Sequence, residues 1–151
     1  MPTPDPIQPD APLPGAVRVR VRDDRDRIAM VEDEMMLLIE QAGFSRASKF
    51  AIKLAFEEAV TNAFAHGHKG LAGDLEVTVE YAISPEAVTI AVQDQGPGFS
   101  PDAVPDPTLD ENLDKPSGRG LMLIRTYMSE AMHNSSGNRL VMRYDRPAGE
   151  R

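Results

Sequence analysis

Residues 75–98 read LEVTVEYAISPEAVTIAVQDQGPG. Leu75, Val77, Val79 and Tyr81 alternate with polar neighbours, and Val88, Ile90 and Val92 repeat the pattern. A period of two marks strands with one buried face. Ser84-Pro85 supplies turn chemistry between them, so the stretch predicts an antiparallel hairpin. The second strand runs directly into Asp94-Gln95-Gly96-Pro97-Gly98-Phe99. Glycines at alternate positions there permit tight turns and close approach of the backbone to a ligand.

Upstream of the hairpin, Val17, Val19 and Val21 alternate with arginines and predict a strand. Asp23 or Asp24 can cap a following helix, whose apolar stripe is Ile28, Val31, Met35, Leu38 and Ile39. Gly43 ends it. Ser45 caps a second helix over about 46–65, and Gly67, Gly70 and Gly73 open a loop. Downstream, residues 94–117 are rich in Gly, Pro and Asp and predict a long functional loop. Residues 118–130 have helical character, with Leu121, Ile124 and Met128 on one face. Residues 131–135 and 139–144 predict a final hairpin, and the chain is expected to fray over 146–151. This order predicts an α+β, two-layer sandwich: a mixed, mostly antiparallel sheet covered on one face by about three helices. Residues 1–15 hold six of the thirteen prolines and form a disordered or extended tail, leaving 16–145 as the one domain and 146–151 as a C-terminal tail.

Composition narrows the function. A formal charge of −8 argues against direct nucleic-acid binding, which needs a basic face. The chain has no Cys, which excludes disulfides, thiolate metal sites and a Cys nucleophile. No apolar run approaches a membrane span, and the Pro- and Asp-rich start lacks the apolar core of a signal peptide, so no membrane role and a cytoplasmic location are expected.

Three constellations carry chemistry. Glu58 and Asn62 lie four residues apart in Glu58-Ala59-Val60-Thr61-Asn62 and therefore share a helical face. An amide oxygen is a hard ligand suited to Mg²⁺, and a carboxylate one turn away can accept a proton from an attacking hydroxyl. An ordinary surface pair is the alternative, but the neighbours Leu54, Ala55, Ala59, Val60 and Ala63 are small or apolar, which suits a cleft. Asp94, at a strand end, can accept from the exocyclic amino group of adenine and would repel the carbonyl of guanine; a plain Asx turn is the alternative. Gly118-Arg119-Gly120-Leu121 opens a helix, where free N–H groups and the helix dipole favour phosphate. Neither a dinucleotide-binding Gly-x-Gly-x-x-Gly nor a Gly-Lys-Ser/Thr phosphate loop is present. His66, one turn beyond Asn62, could approach the phosphates or simply end the helix favourably. With His68 it lacks the further ligands that zinc requires.

Taken in order, Glu58-x-x-x-Asn62, Asp94-x-Gly96-x-Gly98 and Gly118-x-Gly120 resemble the N, G1 and G2 boxes of the GHKL ATPases, the superfamily of gyrase, MutL, histidine kinases and anti-sigma kinases. The resemblance covers about residues 16–145 and implies the Bergerat ATP-binding fold. Within the superfamily, Phe56-Glu57-Glu58-Ala59-Val60-Thr61-Asn62-Ala63 and Gly118-Arg119-Gly120-Leu121-Met122-Leu123-Ile124 resemble the RsbW- and SpoIIAB-type bacterial anti-sigma factors. A histidine kinase needs a phosphoacceptor hairpin upstream, and a gyrase-like protein a transducer domain downstream; a stand-alone domain is the expectation here.

The resemblance implies ATP and Mg²⁺ as cofactors, with Asn62 on the metal, Glu58 as catalytic base and Asp94 reading adenine. Gly96, Gly98, Gly118, Arg119, Gly120 and Leu121 would shape the pocket and its lid, with Lys115 or Arg119 turned inward. It further implies a serine/threonine kinase acting on a STAS-domain anti-anti-sigma factor, a sigma factor held as second partner, and a homodimer. The alternative is a non-catalytic ATP-binding module that switches partners in a stress or signalling pathway. The Pro-rich tail is not part of the family pattern.

Overall fold

The computed structural model describes residues 5–67, 75–97 and 116–150. The element order is β1 (Val17–Val21), α1 (Arg25–Gln41), α2 (Arg46–Asn62), a π turn (Ala63–Gly67), β2 (Val77–Ile83), β3 (Ala87–Gln93), α3 (Pro116–Tyr127), β4 (Glu130–His133) and β5 (Arg139–Asp145). The strands form one sheet in the order β1-β2-β3-β5-β4, and every pairing is antiparallel. The predicted hairpin is β2–β3, with Val79 opposite Val92 and Tyr81 opposite Ile90. The α+β sandwich read from the sequence is therefore the observed architecture.

Register explains the layering. Val19, Val79, Val92 and Leu140 lie across one row of the sheet, and Tyr81, Ile90 and Met142 across the next. Because side chains alternate along a strand, these rows share one face. That face packs against Val31, Met35 and Ile39 of α1, Ile52, Phe56 and Val60 of α2, and Ile124 of α3 in a single core. Each such side chain, fully withdrawn from water, contributes roughly 1.5–3 kcal/mol.

Local signals fix the helix ends. Asp24 caps α1 by accepting from the amides of Asp26 and Arg27 at 3.0 and 3.2 Å. Ser45 caps α2 through the Ser48 amide at 3.1 Å. Gly43, at φ 88°, supplies the left-handed residue that turns the chain from α1 to α2. Some details differ from the sequence reading. Leu38 is 40% exposed, because the buried stripe of α1 runs Val31, Met35, Ile39 with Glu32 beside it. The first α3 residue is Pro116, suited to a position whose N–H would have no partner. Residue 130 begins β4, pairing with Arg143, rather than ending the helix.

The closing residues, expected to fray, are tied to the α1–α2 turn. Arg146 donates to the carbonyls of Ala42 and Gly43 at 2.7 and 3.0 Å and lies 4.2 Å over the Phe44 ring. Glu150 accepts from the Ser48 hydroxyl at 2.7 Å. No helix among the described residues is long and apolar enough to cross a membrane.

Glu32 is a carboxyl where the stripe calls for an apolar residue, and Lys53 Nζ stands 3.7 Å away. Burial, and next the neighbouring Glu57 carboxylate, push the Glu32 carboxyl up from 4.5 to about 7, against the pull of Lys53. A raised pKa means that the folded chain holds a proton the unfolded chain has released. The associated stability is full below pH 4.5 and is lost as pH rises through about 7. His133, pushed down to about 4 by burial and then Arg125, acts in the opposite sense and is common to wild type and variant. Glu32→Gln should therefore melt about 2–8 °C above the wild type at pH 8 and coincide with it near pH 4.5. Thermal unfolding across that range is the check; parallel curves for the two proteins would refute the burial argument.

Candidate functional site

The site is built where α2, its π turn, the β3 exit and α3 meet. Glu58 and Asn62 project from one face of α2, and both are partly buried. Gly120 of α3 lies directly against them. A methyl group added at Gly120 would stand 2.7 Å from Asn62 Nδ2 and 3.0 Å from Glu58 Oε2. With no side chain at Gly120, the functional ends of Asn62 and Glu58 can lie directly on the α3 backbone; a methyl group there would have to displace them.

Beyond Asn62 the helix does not stop but widens into the π turn Ala63–Gly67. π geometry inside or at the end of a helix is rare and is frequent at functional sites. The turn delivers Gly67 onto the Asp94 side chain. A Cβ at Gly67 would overlap the Asp94 carboxylate, and a Cβ at Gly96 would overlap the Gly67 carbonyl oxygen. Asp94 Oδ1 accepts from the Gly96 amide at 2.7 Å, closing an Asx turn, and the Asp94 amide donates to the Asn138 carbonyl at 2.9 Å. Asn138 Nδ2 reaches the Gly96 carbonyl at 3.4 Å. Gln95 Nε2 donates to the Glu76 carbonyl at 3.0 Å.

Two close-packed junctions result. Glu58, Asn62 and Gly120 form one; Asp94, Gly96 and Gly67 form the other. The π turn that starts after Asn62 ends at Gly67 and so joins them covalently. An anionic group, an amide and a carboxylate acceptor thus share one end of the sandwich, beside the first turn of α3. The first amides of any α-helix lack intrahelical acceptors and carry the positive end of the dipole, which suits phosphate.

Of the residues singled out in the sequence, Glu58, Asn62 and Gly120 meet at the first junction, and Asp94 and Gly96 at the second. Leu121 is buried, 5% exposed. Gly98, His68 and Lys115 lie outside the described residues, as does the loop over 98–115. For His66 only its place in the π turn is described, and for Gly118 and Arg119 only the helical backbone. Sequence reasoning passed over Gly67 and Asn138. Gly67 was legible only as a chain breaker, and Asn138 only as part of a turn; neither position has a spacing signature that points to Asp94.

Residues 21–144 match the family model of the histidine kinase-like ATPase domain. The chain is 32% identical over 112 residues to the serine-protein kinase RsbW of Listeria monocytogenes serovar 1/2a, covering 70% of this chain and 71% of that protein. It is 24% identical over 136 residues to the serine-protein kinase RsbW of Bacillus mycoides, covering 85% and 84% of the two chains.

Proposed function

This chain belongs to the histidine kinase-like ATPase family, and from that premise we propose that it is an ATP-binding anti-sigma regulatory factor with serine/threonine kinase activity. One observation carries the reading: Gly120 is packed onto Glu58 and Asn62 while Gly67 and Gly96 are packed onto Asp94. The missing side chains let the acid–amide pair and the aspartate turn pack this closely, which sets the Glu58, Asn62 and Asp94 side chains where they could meet a nucleotide with its metal.

In this reading Asp94 accepts from the adenine amino group and disfavours guanine. Asn62 is the residue that would hold Mg²⁺, an ion that would offset phosphate charge. By the family resemblance Gly118 and Arg119 would meet the phosphates, and Gly98, Leu121 and His66 would complete the pocket. Glu58 accepts the proton of a partner's Ser or Thr hydroxyl. As that oxygen bonds to the γ-phosphorus, the bond between the γ-phosphorus and the bridging oxygen breaks and ADP leaves. Transfer of this kind rests on positioning and electrostatics more than on covalent chemistry. The phosphoacceptor is a STAS-domain anti-anti-sigma factor, and a sigma factor is the alternate partner of a homodimeric, cytoplasmic protein. The names of the RsbW relatives support the kinase half of this reading.

The deciding experiment is recovery of partners from the native host with ATP or ADP, followed by a phosphorylation assay on any STAS-domain protein obtained. Phosphate on a Ser or Thr of that protein is expected; binding of ATP without transfer would leave a non-catalytic partner switch instead. Calorimetry should show ATP bound in preference to GTP. Asn62→Ala should lose Mg²⁺-dependent ATP binding by about two orders of magnitude, the size expected when a metal-site partner is removed. Equal affinity of Asn62→Ala and wild type would take the metal away from that residue.

A further inference from the structure

The sheet face turned away from the helices is not bare. Residues 5–16 form no helix or strand; they cross this face as an irregular segment with two turns, closed by the Ala11 amide on the Gln8 carbonyl at 3.1 Å and the Ala16 amide on the Leu13 carbonyl at 3.4 Å. Arg139 and Glu80, only 6% and 4% exposed, form an ion pair beneath them. Arg139 Nη2 donates to the Ala11 carbonyl at 2.9 Å and its Nε to the Pro9 carbonyl at 3.2 Å. Arg143 Nη1 donates to the Asp5 carbonyl at 2.9 Å, and the Leu13 amide donates to Glu80 at 3.4 Å. Proline-rich backbone suits this contact, because its carbonyls stay available while few N–H groups need partners.

The segment is also fastened at the end of the sheet that carries the Asp94 turn. Asp10 Oδ1 accepts from the Ser135 amide at 2.9 Å and from the Ser135 hydroxyl at 2.8 Å. Those bonds, the amide first, hold the Asp10 carboxyl below its ordinary range. Ser135 belongs to the β4–β5 turn, which is closed by Asn134 accepting from the Asn138 and Arg139 amides, both at 3.1 Å. Asn138 is the residue whose carbonyl and side-chain amide grip Asp94 and Gly96. Arg139, clamped by the proline segment, is next to it and pairs with Gln93, the residue before Asp94.

We propose that residues 5–13 are a strap that sets the affinity of the nucleotide site, acting through the β4–β5 turn with Asn138 as the positioning residue. The proposal rests on the reading that adenine is bound at Asp94. When the strap is seated, Asn138 is held against the Asp94–Gly96 turn and the carboxylate is pre-aimed. When it lifts, the turn loses its backing and the site pays more ordering entropy on binding. Linkage requires the converse, that nucleotide binding hold the strap down. A partner that captured the proline segment would thereby weaken nucleotide binding.

The test uses the full chain carrying Asp10→Ala, Ser135→Ala or Asn138→Ala, with two readouts. The first is amide hydrogen exchange at residues 94–96 in the nucleotide-free protein. The second is ATP affinity by calorimetry. Exchange at Gly96 should quicken in all three variants, and ATP affinity should fall about fivefold or more. Asp10→Ala combined with Asn138→Ala should be no weaker than Asn138→Ala alone, since both act along one route. ATP should slow exchange at residues 10–13 of the wild type. Unchanged Gly96 exchange in Asp10→Ala and Ser135→Ala would overturn the strap. A wild type that bound no ATP would instead overturn the nucleotide reading, and exchange in the free protein would still decide whether the strap reaches the turn.

Discussion

Glu58→Gln is expected to bind ATP within about threefold of the wild type and to transfer phosphate about 10²–10⁴ times more slowly, the contribution of a positioned general base. The argument is local. Glu58 is partly buried, one helical turn before Asn62, and its Oε2 faces the Gly120 backbone. Glutamine keeps the volume and one acceptor, so the packing against Gly120 and the geometry of Asn62 survive. What is lost is the ability to take the hydroxyl proton as the oxygen–phosphorus bond forms. Single-turnover transfer to the isolated partner, at saturating ATP, reads the chemical step without the binding terms. A rate within tenfold of the wild type would remove the base assignment while leaving nucleotide binding intact.

Period and punctuation explain how much could be read before the structure. The β2–β3 hairpin announced itself because Val77, Val79, Val88, Ile90 and Val92 are each buried on the helix side while their neighbours need not be. Ser45 and Asp24 were legible as caps because the chemistry of a cap is confined to three or four residues. Glu58 and Asn62 were legible as a pair because helical spacing puts them on one face. Other features depend on partners far along the chain. Asp10 and Ser135 are 125 positions apart, and no periodicity in a proline-rich segment foretells such a contact. Glu32 occupies a stripe position that hydrophobic counting skips, although burial first, and then Glu57 and Lys53 of α2, set its state. The π turn is invisible for a similar reason: it ends at Gly67 against Asp94, a residue far along the chain.

Gly96→Ala should be the most damaging small change in the Asp94 turn, lowering ATP affinity by about a hundredfold or more and the unfolding midpoint by about 2–10 °C. The constraint is space, since Gly96 is not among the positive-φ glycines. Its Cβ would overlap the Gly67 carbonyl oxygen and come within 2.9 Å of Asp94 Oδ1. A backbone oxygen has no rotamer through which to escape, so either the π turn or the Asp94 turn must move. Movement of the second breaks the 2.7 Å bond from the Gly96 amide that orients the carboxylate. Gly120→Ala is the informative contrast. Its Cβ would meet the far ends of Asn62 and Glu58, which can swing aside. That variant should keep its unfolding midpoint within about 2 °C while losing Mg²⁺-dependent binding and transfer, because the atoms displaced are the functional ones. Melting curves and calorimetry on the two variants separate these outcomes. Wild-type ATP affinity in Gly96→Ala would show that the Asp94 turn does not hold the nucleotide, and with it the assignment of adenine recognition to Asp94 would fall.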